Sequence, residues 1–233
     1  MEASRSLSLY AVSNPLKDKY FVHRAACVAV MVAMLSCGGK KSTEPPAPAP
    51  TAPLPTAGLA GQRVALTPLT LVAADDTLKW DALIADRRAT LDKSDSIIAT
   101  LLSARAPEVS WVRPAEVRQV ARRAAGIAAD PDQMGTSFLR ADKLVDVPDP
   151  LRYQLRTLVG LVGGRYAMIP AGLVFRAARP TAAPRGLATA ELSIVMVDTR
   201  VGKIGWRTVA RGEGDDPWTA LTRAVKSLTP GLP

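Results

Sequence analysis

Six prolines crowd the stretch from Lys40 to Ala57: Pro45, Pro46, Pro48, Pro50, Pro53 and Pro55, with Ala and Thr between them. Proline fixes φ and has no amide hydrogen to donate, so neither a helix nor a sheet ladder continues through such a run. The stretch favours extended polyproline II and acts as a semi-rigid spacer of about 3.1 Å per residue. No core forms there. A fold must come from Gly61–Pro233, which is long enough for one domain and shows no internal repeat.

The residues ahead of the spacer read as an export signal. Lys17, Lys19 and Arg24 precede the unbroken apolar run Ala25 to Leu35. That run is too short for a bilayer span, which takes about 20 apolar residues. Arg24 closes it on one side, and Gly38, Gly39, Lys40 and Lys41 on the other. An uncleaved membrane anchor is the weaker alternative. The order Met34-Leu35-Ser36-Cys37-Gly38 resembles the junction at which bacterial lipoproteins are cut and acylated on the cysteine thiol. Met34 stands where Leu is commonest in such junctions. The resemblance divides the chain into a signal peptide (1–36), a lipidated Cys37 with a Pro/Ala-rich linker (37–60) and a globular domain (61–233). Several acyl chains on Cys37 would anchor the protein stably, since firm anchoring takes two or more membrane signals. Gly38 after the cysteine favours the outer membrane, a sorting habit that varies between lineages.

Cleavage there removes His23 and Cys27, leaving a chain without histidine whose only cysteine is Cys37. No disulfide can then form within one chain. Zinc sites built from Cys and His are excluded, as are Ser-His-Asp and Cys-His catalysis. Cleavage takes four of the 30 basic and two of the 21 acidic residues, leaving 26 against 19, a formal charge of +7. The positive residues are spread along the chain. They read as the solvated surface of an Arg-rich protein rather than a nucleic-acid footprint, and no nucleic-acid partner is expected.

Local patterns predict the elements. Arg63–Ala73 reads as a strand with Pro68 near its middle, which suggests an edge or a bulge. Leu83–Arg105 reads as a helix with Ile84, Leu91, Ile98, Leu101 and Leu102 as its apolar stripe. A short strand is expected at Val109–Val112. A helix follows from Pro114 to about Ala124, with Val117, Val120 and Ala121 inward and Arg118, Arg122 and Arg123 on the solvated face. Ala125–Gly135 is loop-like, and Asp130-Pro131-Asp132 fits the start of a short helix. Asp149 is the expected N-cap of the next helix, with Pro150 first. Its stripe is Leu151, Leu155, Leu158, Val159 and Val162. Arg165–Phe175 reads as a buried strand interrupted at Pro170 and Gly172, and Arg176–Gly186 as a long polar loop. Ala188–Val197 and Lys203–Arg211 form a hairpin about the turn Asp198–Gly202. Asp216 and Pro217 open a last helix with Trp218, Leu221, Val225 and Leu228 inward. The order β-α-β-α-α-β-β-β-α predicts an α/β sandwich with a mixed sheet of about four to five strands and helices packed on it.

This order resembles that of envelope lipoproteins with a TolB amino-terminal-like or curli-secretion-like α/β domain. Three segments carry the resemblance: the strand Val64 to Pro68, the strand Gly164-Arg165-Tyr166-Ala167-Met168-Ile169, and the hairpin from Ile194 through Asp198 and Gly202 to Trp206. It implies a scaffold, assembly factor or secretion-pore subunit, and it implies no catalytic residues. The long amphipathic insertions of a pore subunit are not evident. Independently of the resemblance, Asp198 can bond its own turn backbone, and Gly202 can take a positive φ. Trp206 is expected on the sheet face.

Candidate chemistry is sparse. Asp75, Asp76, Asp81 and Asp86 could serve acid/base work or a hard cation. They read better as complements to helix N-termini. Asp130, Asp132, Asp142, Asp146 and Asp149 are too loosely spaced for an EF-hand. Glu213, Asp215 and Asp216 read as the lead-in to a helix, or at most a weak Ca²⁺ site. Gly160–Gly164 lacks the spacing of a P-loop, and no Ser sits in a G-x-S-x-G elbow. No cofactor, metal site or catalytic residue is expected. Arg176, Arg179 and Arg185 on the long loop are the candidate partner-binding residues, since loops of that length concentrate binding groups. The chain therefore reads as a non-enzymatic envelope lipoprotein, held to the membrane through Cys37, that binds or positions a periplasmic partner protein. A carboxylate-dependent glycan hydrolase and a subunit of an oligomeric secretion assembly are the alternatives.

Overall fold

The computed structural model describes residues 58–177 and 187–228. In chain order these form β1 (Arg63–Leu66), β2 (Val72–Ala74), α1 (Asp81–Ile84), α2 (Arg87–Arg105), β3 (Ser110–Val112), α3 (Pro114–Arg123), α4 (Leu151–Leu161), β4 (Tyr166–Ala177), β5 (Ala188–Asp198), β6 (Lys203–Gly214) and α5 (Pro217–Lys226). Two 3-10 turns, Asp76–Leu78 and Thr136–Arg140, lie between them. All the described residues fall within one compact unit, Pro48–Pro233. Among them, no helix is long and apolar enough to cross a membrane.

One mixed sheet runs β3-β1-β4-β5-β6, with β2 paired to β4 as a sixth strand. The count exceeds the four to five expected because Arg63–Ala73 is two strands, not one. β1 pairs parallel to the first half of β4 (Val64 with Tyr166), and β2 pairs parallel to its second half (Val72 with Leu173). Pro68 falls in the break. β1 lies between β3 and β4, so only β2 fits the expected edge position. Opposite the break, β4 carries its own register shift between Pro170 and Gly172, as the sequence suggested. The two irregularities lie side by side, so the sheet tolerates both prolines.

Alternation in the strands feeds two cores, one on each face, giving three layers. On one face Val64, Leu66, Phe175, Leu192 and Ile194 meet Ile98 and Leu102 of α2 and Leu221 and Val225 of α5. On the other, Ala65, Ala167, Ile169, Val195 and Val197 meet Val117 of α3 and Leu155, Leu158 and Val159 of α4. The stripe read for α4 is buried as expected, and so are Leu221, Val225 and Leu228 of the stripe read for α5, while Trp218 is only partly buried.

Several boundaries differ from the sequence reading. The helix expected from Leu83 breaks at Ala85, and α2 starts after Asp86, whose side chain accepts the Ala89 amide at 3.0 Å. Asp130-Pro131-Asp132 forms a turn and not a helix. The short helical turn comes later, at Thr136–Arg140. The N-cap of α4 is Pro150, not Asp149, with a cis peptide between the two. Arg176, expected on the long loop, belongs to β4. The hairpin follows the reading: Asp198 accepts the Arg200 amide at 3.1 Å, and Gly202 sits at φ +75°. Trp206 is partly buried against the first core.

Candidate functional site

The chain leaves β1 through α2 on one face, reaches β3, then returns past β1 to β4 through α3 and α4 on the other. At such a reversal α/β sheets open a crevice beyond the carboxyl ends of their strands. Here that region holds a cluster of five charged side chains from α2, α3 and the turn at Asp132.

Asp95 lies in the middle of the buried face of α2 and is 4 % exposed. One carboxylate oxygen accepts the Leu69 amide at 2.8 Å, next to the break between β1 and β2. The other accepts Nη2 of Arg118 at 2.7 Å. Arg118 is itself buried. Its Nε reaches both oxygens of Asp132 at 2.9 Å, and its Nη2 also donates to Asp132 at 2.8 Å. Its third nitrogen, Nη1, lies 3.3 Å from Asp92. Arg88 closes the ring, donating to Asp92 and to Asp132 at 3.0 Å each. Three carboxylates thus surround two guanidiniums.

Burial sets the charge states. It raises the Asp95 carboxyl to about 6, against the opposing pull of the Leu69 amide and Arg118. Burial also pushes Asp132 up, but hydrogen bonds from Arg118 and Arg88 outweigh it and hold that carboxyl below the usual range. The same guanidinium therefore serves one depressed and one raised acid. The difference is that Asp132 is partly solvated and has two arginines, whereas Asp95 is enclosed and has one. Burial alone would lower Arg118, yet its bonds to Asp132 and Asp95 raise it.

Two adjoining cavities flank this cluster and share Arg88, Arg118 and Arg122. The first, about 430 Å³, lies between Asp92, Ser96 and Thr100 of α2 and Arg113–Ala115 at the end of β3. The second, about 440 Å³, extends past Arg122 to Gly126 and Asp130. Within the cluster each carboxylate is already engaged by guanidinium groups, so the arrangement is suited to clamping α2, α3 and the Asp132 turn together. Among the described residues, no group of His, Cys, Asp and Glu could hold a metal ion.

The residues singled out from sequence lie elsewhere. Cys37, Arg179 and Arg185 are outside the described residues. Arg176 is not on a loop: its Nε donates to Glu191 at 2.8 Å, and Glu191 also takes Arg211 at 3.0 Å. Arg118, expected on a solvated face, is buried, because Asp95 and Asp132 supply the partners that an interior cation needs. Asp75 accepts the Ala177 amide, Asp86 caps α2, and Asp216 caps α5 through the amides of Trp218 and Thr219.

No protein-family model and no curated protein matches the chain. Solved structures similar to it include the C-terminal domain of LpoB from Salmonella enterica (11 % identity, 67 % of this chain and 84 % of that one, TM-score 0.34). A PelC dodecamer from Paraburkholderia phytofirmans is similar at 12 % identity (72 % and 89 % covered, TM-score 0.32). Lipoprotein GNA1162 from Neisseria meningitidis is similar at 15 % identity (66 % and 81 % covered, TM-score 0.30). Likeness at these TM-scores does not place the chain among them.

Proposed function

We propose that the chain is a non-enzymatic, lipid-anchored protein of the bacterial cell envelope, of the TolB amino-terminal-like or curli-secretion-like kind. Its domain binds or positions a partner protein in the periplasm. The observation that carries this reading is the order Met34-Leu35-Ser36-Cys37-Gly38 after the apolar run Ala25 to Leu35, followed by the proline-rich spacer. A spacer of polyproline type holds a domain several nanometres from its anchor, a reach suited to meeting another envelope component. The carboxylates of the domain support a binding role, because Asp95, Asp132, Glu191 and Asp216 are spent on guanidiniums and helix amides. The anchor sits in the outer membrane, on the side facing the periplasm, in keeping with Gly38 after the cysteine.

In-cell crosslinking with affinity capture, run on wild type and Cys37→Ala, tests the reading. A defined envelope protein captured only by the wild type supports it. Equal capture by both forms removes the anchor from the function. A wild type that crosslinks to no other protein removes the partner.

A further inference from the structure

We propose that the groove between α2 and α3 is the docking site for an acidic, extended segment of the partner protein. The inference rests on the partner-binding reading above and specifies its chemistry. Ala115, Arg118 and Arg122 recur at i, i+3 and i+7 along α3, so they share the face turned to α2, and all three line the first cavity. Arg118 is spent on Asp95 and Asp132 and forms a rigid floor. Arg113 and Arg122 differ. Both line the first cavity, both are exposed, and among the described residues neither has an ion pair or side-chain hydrogen bond.

Arg113 is the N-cap of α3 and Arg122 lies in its last turn, so their Cα atoms are separated by about 13 Å along the helix axis at roughly 1.5 Å per residue. An extended peptide laid along α3 advances about 3.3 Å per residue, so carboxylates four positions apart match the axial separation of the two arginines. The hydroxyls of Ser96 and Thr100 line the same cavity and offer polar contacts to the backbone of such a segment. The floor orders the groove before binding. With Arg88 and Arg118 already paired to Asp92, Asp95 and Asp132, the only cations left to attract a ligand among the described residues of this groove are those at its two ends.

The test is a proton–nitrogen NMR titration of the full chain with a peptide carrying two aspartates separated by three neutral residues. Saturable shifts at α2 and α3 are expected, with affinity falling about two- to fivefold for Arg113→Ala or Arg122→Ala, the range of exposed ion pairs. Binding should weaken with salt. A peptide with one aspartate should lose its sensitivity to one of the two arginines. Wild-type affinity in both variants, or equal binding of the lysine analogue of the peptide, overturns the proposal. Arginine-dependent binding to phosphatidylglycerol vesicles without any response to the peptide overturns it in favour of a lipid surface. If a partner captured in cells is retained by the double variant Arg113→Ala, Arg122→Ala, the groove is wrong and the partner reading stands. If the peptide binds as expected but wild type captures no protein in cells, the groove stands and the partner reading falls.

Discussion

Asp95 and Arg118 meet at 2.7 Å inside the domain, one from the middle of α2 and the other from the second turn of α3. The two helices pack on opposite cores of the sheet, so this pair is a direct tie between the layers. Removing Arg118 strands the Asp95 and Asp132 carboxylates, each of which must stay charged and poorly solvated or take up a proton. Arg118→Met should therefore cost about 3–5 kcal/mol at pH 7. Adding Asp95→Asn to that variant should recover part of the loss, since one of the stranded carboxylates is then gone. Urea denaturation of the three variants measures this. A loss below about 1 kcal/mol for Arg118→Met would show that the cluster does not hold the layers together.

Asp95 also makes stability depend on pH in an unusual direction. Its carboxyl is raised to about 6, so the folded protein holds that proton more tightly than the unfolded chain. The resulting stabilisation is complete below the unfolded carboxylate value and is lost as pH rises through about 6. Asp132, Glu191, Asp198 and Asp216 act in the opposite sense, because each is held below its usual range and loses its contribution as pH falls. Comparison with Asp95→Asn isolates the first effect. Wild type should lose up to about 3 kcal/mol relative to that variant between pH 4 and 7. Carboxyl carbon NMR gives the midpoint directly, and a value below 4 would mean that Arg118 and the Leu69 amide outweigh burial.

Gly212 lies under α5. A Cβ there would sit 2.1 Å from the Ala224 amide nitrogen and 2.6 Å from the Ala220 carbonyl oxygen, both backbone atoms that cannot swing aside. Gly212→Ala should force α5 from β6 and cost at least the 1–3 kcal/mol typical of overpacking. Thermal unfolding reads the cost, and hydrogen exchange should show α5 opening before α4. An unchanged melting temperature would show that the contact relaxes freely.

Glu191 offers a contrast with Asp95. It takes Arg176 and Arg211 from the two neighbouring strands, but those arginines are more than half exposed. Glu191→Gln should change stability by less than about 1 kcal/mol. A larger loss in the same urea experiment would reveal a buried role that the exposure of these arginines does not suggest.

The legible parts of the fold share a cause. Asp216 followed by Pro217 carries its own helix start, because the cap acts on amides two and three residues away. The α4 stripe and the Asp198–Gly202 turn are likewise set by near neighbours. The charged cluster was half legible. Leu91, Asp95, Ile98 and Leu102 fall at i, i+4, i+7 and i+11, so a carboxylate sits inside an apolar stripe, a signal that calls for a buried partner. Which residue answers it was not legible. Arg118, Arg122 and Arg123 look alike in sequence, and only the approach of Asp95 and Asp132 takes Arg118 into the interior while leaving Arg122 at the rim.

By itself, the sequence determined the class of fold, the apolar face of α4, the hairpin and the absence of histidine after Cys37. These follow from interactions within a few residues, or from composition alone. Tertiary structure decided that Arg63–Ala73 splits at Pro68 into two strands along one partner, that Arg176 is held by Glu191, and that Arg118 joins two layers. Each depends on groups far apart in the chain. Their energies turn on burial and on the partner's position, neither of which local spacing encodes.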